Sequence, residues 1–179
     1  MREVKKKILK STYTVLGFIV NVFRSIPFII LLVFMIPVTR FVVGTTIGST
    51  ATIVPLVVAA APFVARLVES SIKEVDDGVV EAARSMGAST RQIIWKVLLP
   101  EARPSLLIGS AIAVAAIFGY AAMAGFVGGG GLGAIAINYG FYRYQTDVMI
   151  ITLILSVILV QILQVIGMRL AKASDKRIR

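Results

Sequence analysis

Six of the nine acidic residues of this chain, Glu69, Glu74, Asp76, Asp77, Glu81 and Glu101, fall within residues 69–104. Carboxylates gathered in this way can do general acid–base work, hold a metal ion, cap helices or pair with a partner. The chain contains no histidine and no cysteine, which removes imidazole chemistry, thiolate nucleophiles and Cys/His metal sites. The spacing of the acids favours capping and docking. Asp76 and Asp77 stand at the N-cap and first turn of a helix, where carboxylates meet unpaired N–H groups and the positive end of the helix dipole.

Two phosphate-binding patterns are also weighed. Gly128 to Gly133 fits G-x-G-x-x-G in form, but no strand precedes it and no acidic residue follows at the distance a ribose would need. It reads instead as a tightly packed loop at a membrane edge. No G-x-x-x-x-G-K-[ST] occurs, so an ATP-driven activity would need its ATPase on another chain.

The segment around the acids, residues 76–100, predicts a helical hairpin. Val79, Ala82, Ala83 and Met86 recur at three- and four-residue spacing and form one apolar stripe. Gly87 ends that helix at a left-handed C′ position. Ser89 and Gln92 have capping-box spacing and restart a helix that carries Ile93, Ile94, Val97 and Leu98 on its apolar side, with Pro100 expected to stop it. A hairpin of this size needs a surface to cover its stripes, so we expect a partner there.

The elements that must carry the hairpin are apolar. Across 179 residues the chain is 58% hydrophobic with a mean hydropathy of +0.90, which is the composition of an integral membrane protein. Its net charge of +10 comes from basic residues at the ends of apolar runs, without the exposed aromatic interleaving of a nucleic-acid face. We therefore expect a lipid bilayer and no nucleic acid as partner.

Four spans are predicted. Residues 11–23 form an interfacial or inner-leaflet helix, with Arg24 snorkelling to the headgroups and Pro27 in the first turn of a span over about 25–43. An outer turn follows at 44–50, then a span at about 51–68 that contains Pro55 and Pro62. Residues 69–104 are cytoplasmic, 106–127 form the third span, 128–147 an outer loop and 148–170 the last span. On this topology all but three of the 19 Lys and Arg, namely Arg24, Arg40 and Arg143, lie in cytoplasmic segments or at their edges. That bias follows the positive-inside rule and puts both termini in the cytoplasm. The basic start has no cleavage-site pattern and predicts no removable signal peptide.

Within the third span, the small residues from Gly109 to Gly125 let helix backbones approach closely. Met123 is the large flexible side chain of that segment, able to seal a pore or touch an apolar substrate. Gln161 and Gln164 of the last span either line an aqueous cavity or bond across helices, the second being favoured.

Glu81-Ala82-Ala83, Gly87, Val97, Leu99 and Pro100 together resemble the Glu-Ala-Ala loop of bacterial ABC-importer permease subunits, with Val97 where isoleucine is usual. The runs Phe23 to Leu32, Ala61 to Arg66, Lys96 to Ala102, Gly119 to Gly125 and Gly130 to Gly133 are similar to those of methionine-importer permeases. The resemblance spans Tyr13 to Leu170 and implies one all-α membrane domain of the type I importer fold over residues 1–179, in the bacterial inner membrane. It implies two permease copies around a pathway, two cytoplasmic ATPase subunits that bind the ATP, and an outer methionine-binding protein. The permease itself would carry no cofactor, no metal and no catalytic residue. Glu81 would anchor the docked loop, Ala82 and Ala83 would permit close approach, Gly87 would set the hairpin angle, and Gly119, Tyr120 and Met123 would border the pathway or its gate. Such permeases have five spans, so this chain reads as beginning after the first.

Overall fold

The computed structural model describes residues 2–174, with side chains from Ser11 onward, so the basic head's side chains and the end of the basic tail lie outside the described residues. Every regular element among them is helical. Three helical stretches are long and apolar enough to cross a membrane, Ser49–Lys73, Thr90–Val127 and Thr146–Ser174. A fourth crossing arises only if the bent pair Ser11–Ser25 and Phe28–Phe34 counts as one span.

The expected span over 25–43 is therefore corrected. Helix α1 (Arg2–Ser25) stops short of Pro27 because a residue before proline is driven out of the helical region. The chain turns by 99° into α2 (Phe28–Phe34). A second proline, Pro37, cannot donate a hydrogen bond back into α2, and the helix breaks at Met35 before α3 (Ile36–Val43). Helices of 7 and 8 residues reach only about 10–12 Å each, well short of a hydrocarbon core of about 30 Å. Helix α1, expected at the interface, packs against α4 (Ser49–Lys73). Tyr13 reaches the end of α4 while Asn21 reaches Arg66, so the two helices run antiparallel.

Pro55 and Pro62 are both accommodated inside α4, as expected. Helix α7 (Leu99–Met123) packs against α4 on one side and α9 (Thr146–Ser174) on the other. Small residues set these crossings. Ser105 Oγ donates to Ser71 Oγ at 3.0 Å between α7 and α4, and a Cβ on Gly167 would come within 2.4 Å of Ala111 Cβ between α9 and α7. Phe28, Leu32 and Ala124 form the buried centre, flanked by Leu56, Ala59, Tyr120 and Val127.

The predicted outer loop at 128–147 is largely helical. α8 (Leu132–Ile135) runs into a π-helical turn, Ala136–Phe141, giving a ten-residue apolar helix packed on α9. The glycine run makes this possible by allowing backbone to cross backbone. A Cβ on Gly133 would stand 2.3 Å from the Ala122 carbonyl oxygen, and Gly130 N–H donates to Ser49 Oγ at 3.2 Å.

Candidate docking hairpin

Between α4 and α7 the chain leaves the apolar bundle. The Asp76 side chain accepts a hydrogen bond from Gly78 N–H at 2.7 Å and starts α5 (Asp77–Ser85). The helix ends in a Schellman arrangement: Gly87 N–H donates to the Arg84 carbonyl at 2.9 Å and Ala88 N–H to the Ala83 carbonyl at 3.1 Å. Gly87 takes φ 79°, with nothing within 4 Å of where a Cβ would lie. Glycine is needed there for its backbone conformation, not for space.

Ser89 and Gln92 then form both halves of a capping box, Ser89 N–H donating to Gln92 Oε1 at 2.8 Å and Gln92 N–H to Ser89 Oγ at 3.4 Å. This opens α6 (Thr90–Ile93). Pro100 does not end the second arm, contrary to expectation. Residues Ile94–Leu98 widen into a π-helical turn in which Leu99 N–H reaches the Ile94 carbonyl. That wider turn accommodates the ring of Pro100 in the first turn of α7. The helical path from Thr90 to Val127 is thus unbroken over 38 residues.

The two arms pack on each other, and Ala83 and Ile93 are the residues buried in them, 5% and 6% exposed. The rest of the predicted stripes faces outward: Val79, Ala82, Met86 and Ile94 are exposed, with Trp95 beside them, while Val97, Leu98 and Leu99 are half-buried. Met86 is 81% and Trp95 65% exposed. Glu81 is exposed on the same short helix, its carbonyl accepting from Ser85 Oγ at 3.0 Å. Hence the structure gathers Glu81, Ala82 and Gly87 on an open surface, with Ala83 turned inward and Pro100 at the root. No cluster of His, Cys, Asp or Glu that could hold a metal occurs among the described residues.

The three residues expected at the pathway divide. Gly119 and Met123, one helical turn apart on α7, are exposed. Tyr120 is half-buried and stacks on Phe28 with ring centroids 4.9 Å apart. Among the described residues no hydrogen bond joins Gln161 or Gln164 to another helix; the first is exposed and the second half-buried.

One cluster went unread in the sequence. At the foot of α4, Arg66 pairs with Glu69 at 2.7 Å and donates to Asn21 Oδ1 at 2.7 Å. Lys73 pairs with Glu69 at 2.7 Å and donates to the Tyr13 hydroxyl at 3.0 Å. That hydroxyl itself donates to Glu69. The signal was present in the spacing, because Arg66, Glu69 and Lys73 stand three and four residues apart on one helix face.

The structure is thus that of an all-helical membrane protein with a doubly capped hairpin between two of its spans and apolar side chains left open on the hairpin's surface. Comparison with known proteins makes this specific. Residues 6–179 match the family described as binding-protein-dependent transport system inner membrane component, and the chain belongs to that family. It is 55% identical over 162 residues to the probable D-methionine transport system permease protein MetI of Vibrio cholerae, covering 90% of this chain and 72% of that one. To the methionine import system permease protein MetP of Bacillus subtilis it is 45% identical over 168 residues, covering 94% and 76%. Among solved structures it is similar to an inward-facing form of the MetNI methionine ABC transporter, with a TM-score of 0.91 at 51% identity, over 94% of this chain and 78% of that one. The chain is accordingly a multi-pass inner-membrane transport component.

Proposed function

We propose that this chain is the permease subunit of an ATP-driven methionine importer, with residues 1–179 forming one membrane domain and residues 76–100 the element that docks a separate cytoplasmic ATPase. The observation that carries the reading is the unbroken helix from the capping box at Ser89 to the segment holding Gly119 and Met123. Over 38 residues such a helix is a lever of roughly 55 Å. A push at the hairpin is delivered along one continuous helical path to the far half of the span. Met86, Ile94 and Trp95 supply the apolar contact area for docking, and Glu81 supplies a charge at its edge. Two copies border a pathway between them, Gly119 and Met123 facing it from α7, and an outer binding protein delivers the substrate. ATP-driven closure of the paired ATPases moves the hairpins and tilts the spans between inward- and outward-open states. Both termini lie in the cytoplasm, as the basic residues at the chain's ends favour. Methionine as cargo is supported by the names of the relatives.

The test uses the permease purified with its ATPase subunit. Glu81→Lys is expected to abolish capture of the ATPase while membrane insertion persists, and capture that survives it refutes the docking role. In proteoliposomes supplied with the binding protein, uptake of other amino acids with no preference for methionine would refute the substrate.

A further inference from the structure

We propose that Tyr13, Asn21, Arg66, Glu69 and Lys73 form a positioning clasp that makes α1 part of the coupling lever, an inference that rests on the docking reading above. No residue of α1 from Ser11 to Ser25 is buried. Beside the clasp, a groove of about 700 Å3 is lined by Leu16, Phe18 and Val20 of α1 and by Ala65 of α4. The apolar side of α1 thus adds little burial against α4, and the polar contacts at Tyr13 and Asn21 fix how the one helix lies on the other. Glu69 is the hub, with Oε2 taken by Arg66 and Oε1 shared by Lys73 and the Tyr13 hydroxyl. Asn21 holds the second nitrogen of Arg66 two turns further along α1. Two points of attachment fix the direction of one helix on the other, which a single contact would not.

The clasp also lies at the root of the hairpin. Lys73 ends α4, and Asp76 caps α5 three residues later. The join is closed by hydrogen bonds from Glu74 N–H to the Ser70 carbonyl at 3.2 Å and from Val75 N–H to the Ile72 carbonyl at 3.3 Å, with Val75 buried. A force on α5 reaches α4 through that join and α1 through the clasp. Without Glu69, Arg66 and Lys73 would be left as two like charges with no carboxylate between them, and the Tyr13 end of α1 would be free to swing about the remaining Asn21–Arg66 contact.

Because the chain has no cysteine, labels can be placed cleanly with Gly17→Cys and Ser85→Cys, and the spin-label distance between α1 and the hairpin can be measured in vesicles. In the permease alone we expect a narrow distribution that broadens in the double variant Tyr13→Phe, Glu69→Gln. In the complex with the ATPase we expect the distance to stay fixed when ATP is added. The same double variant should retain ATPase capture while methionine uptake per ATP hydrolysed falls by about fivefold or more, the low end of coupling between linked sites. A distribution that does not broaden, a distance that shifts with ATP in the intact clasp, or an unchanged uptake ratio each overturns the proposal. The measurement on the permease alone does not depend on docking, whereas loss of capture in Glu81→Lys does, so the two readings fail separately.

Discussion

Replacing Gly87 isolates the conformational requirement of the hairpin from every steric one. The residue has φ 79° and open space where a Cβ would be built, so a side chain added there meets nothing. What it meets is the backbone preference of an L-residue, which costs roughly 1–2 kcal/mol in the left-handed region, with asparagine among the residues that tolerate it best. The two arms are short, α5 having 9 residues and α6 having 4, and short helices have little stability to spare. The penalty should therefore appear as a lowered population of the docked shape, and affinity falls in proportion to the competent fraction. Gly87→Val should weaken binding of the ATPase subunit by roughly 5–30-fold, the factor that corresponds to that free energy, and Gly87→Asn should weaken it less. The measurement is a titration of the purified ATPase against the permease in nanodiscs, with thermal denaturation of the permease as a control that should not move. Equal losses for the asparagine and valine variants would refute the conformational argument. Undiminished binding of the valine variant would show that the hairpin angle does not matter.

Further outcomes follow from the same geometry. Ser89→Ala removes the acceptor for Gln92 N–H; the loss of about 1 kcal/mol expected for an N-cap should read out as roughly fivefold faster hydrogen exchange at that amide. Trp95→Ala should leave the isolated permease as stable as before, since the ring is 65% exposed, yet weaken capture of the ATPase in a pull-down. Gly133→Val places a side chain against the Ala122 carbonyl, 2.3 Å from the built Cβ; overpacking of this kind costs about 1–3 kcal/mol or more, and the yield of monodisperse protein in detergent should fall sharply.

Local chemistry was the most legible part of the chain. Asp76, Gly87 and the Ser89/Gln92 pair stand in the roles their spacing implies, because capping is decided within four residues and a sequence displays those residues side by side. The prolines were harder to read. Pro27 stands at the start of a helix, much as expected, but the unremarked Pro37 breaks the span expected over 25–43 at Met35, while Pro55 and Pro62 pass through α4 unbroken. Pro100 was expected to stop a helix, and a π-helical turn before it lets the helix continue. A missing N–H is visible in the sequence; whether the chain answers it with a break, a widened turn or a neighbour is settled by packing across the bundle. The glycine run of 128–133 is similar. Gly128 to Gly131 form a tightly packed loop, as read, against Ala124 and Ser49; what the sequence did not display is the helix that follows from Leu132, because the contacts that seat it lie on other elements.

The difference between Pro100 as a stop and Pro100 as a continuation decides how the hairpin could work. Had the second arm ended there, the hairpin would hang from a joint between two helices, and displacement of its tip would be partly absorbed by bending. The Leu99 N–H to Ile94 carbonyl bond closes the turn just before the proline, and the helical path runs on from the tip into the span. On the other arm, the route from α5 into α4 passes through the hydrogen-bonded join at Glu74 and Val75 and past the Glu69 cluster. Both arms of the hairpin are thus tied to membrane helices by closed backbone paths. On the proposed docking role, an element fixed at both roots would pass a push to α4 and α7 together, and the residues that would decide whether α1 follows are those gathered around Glu69.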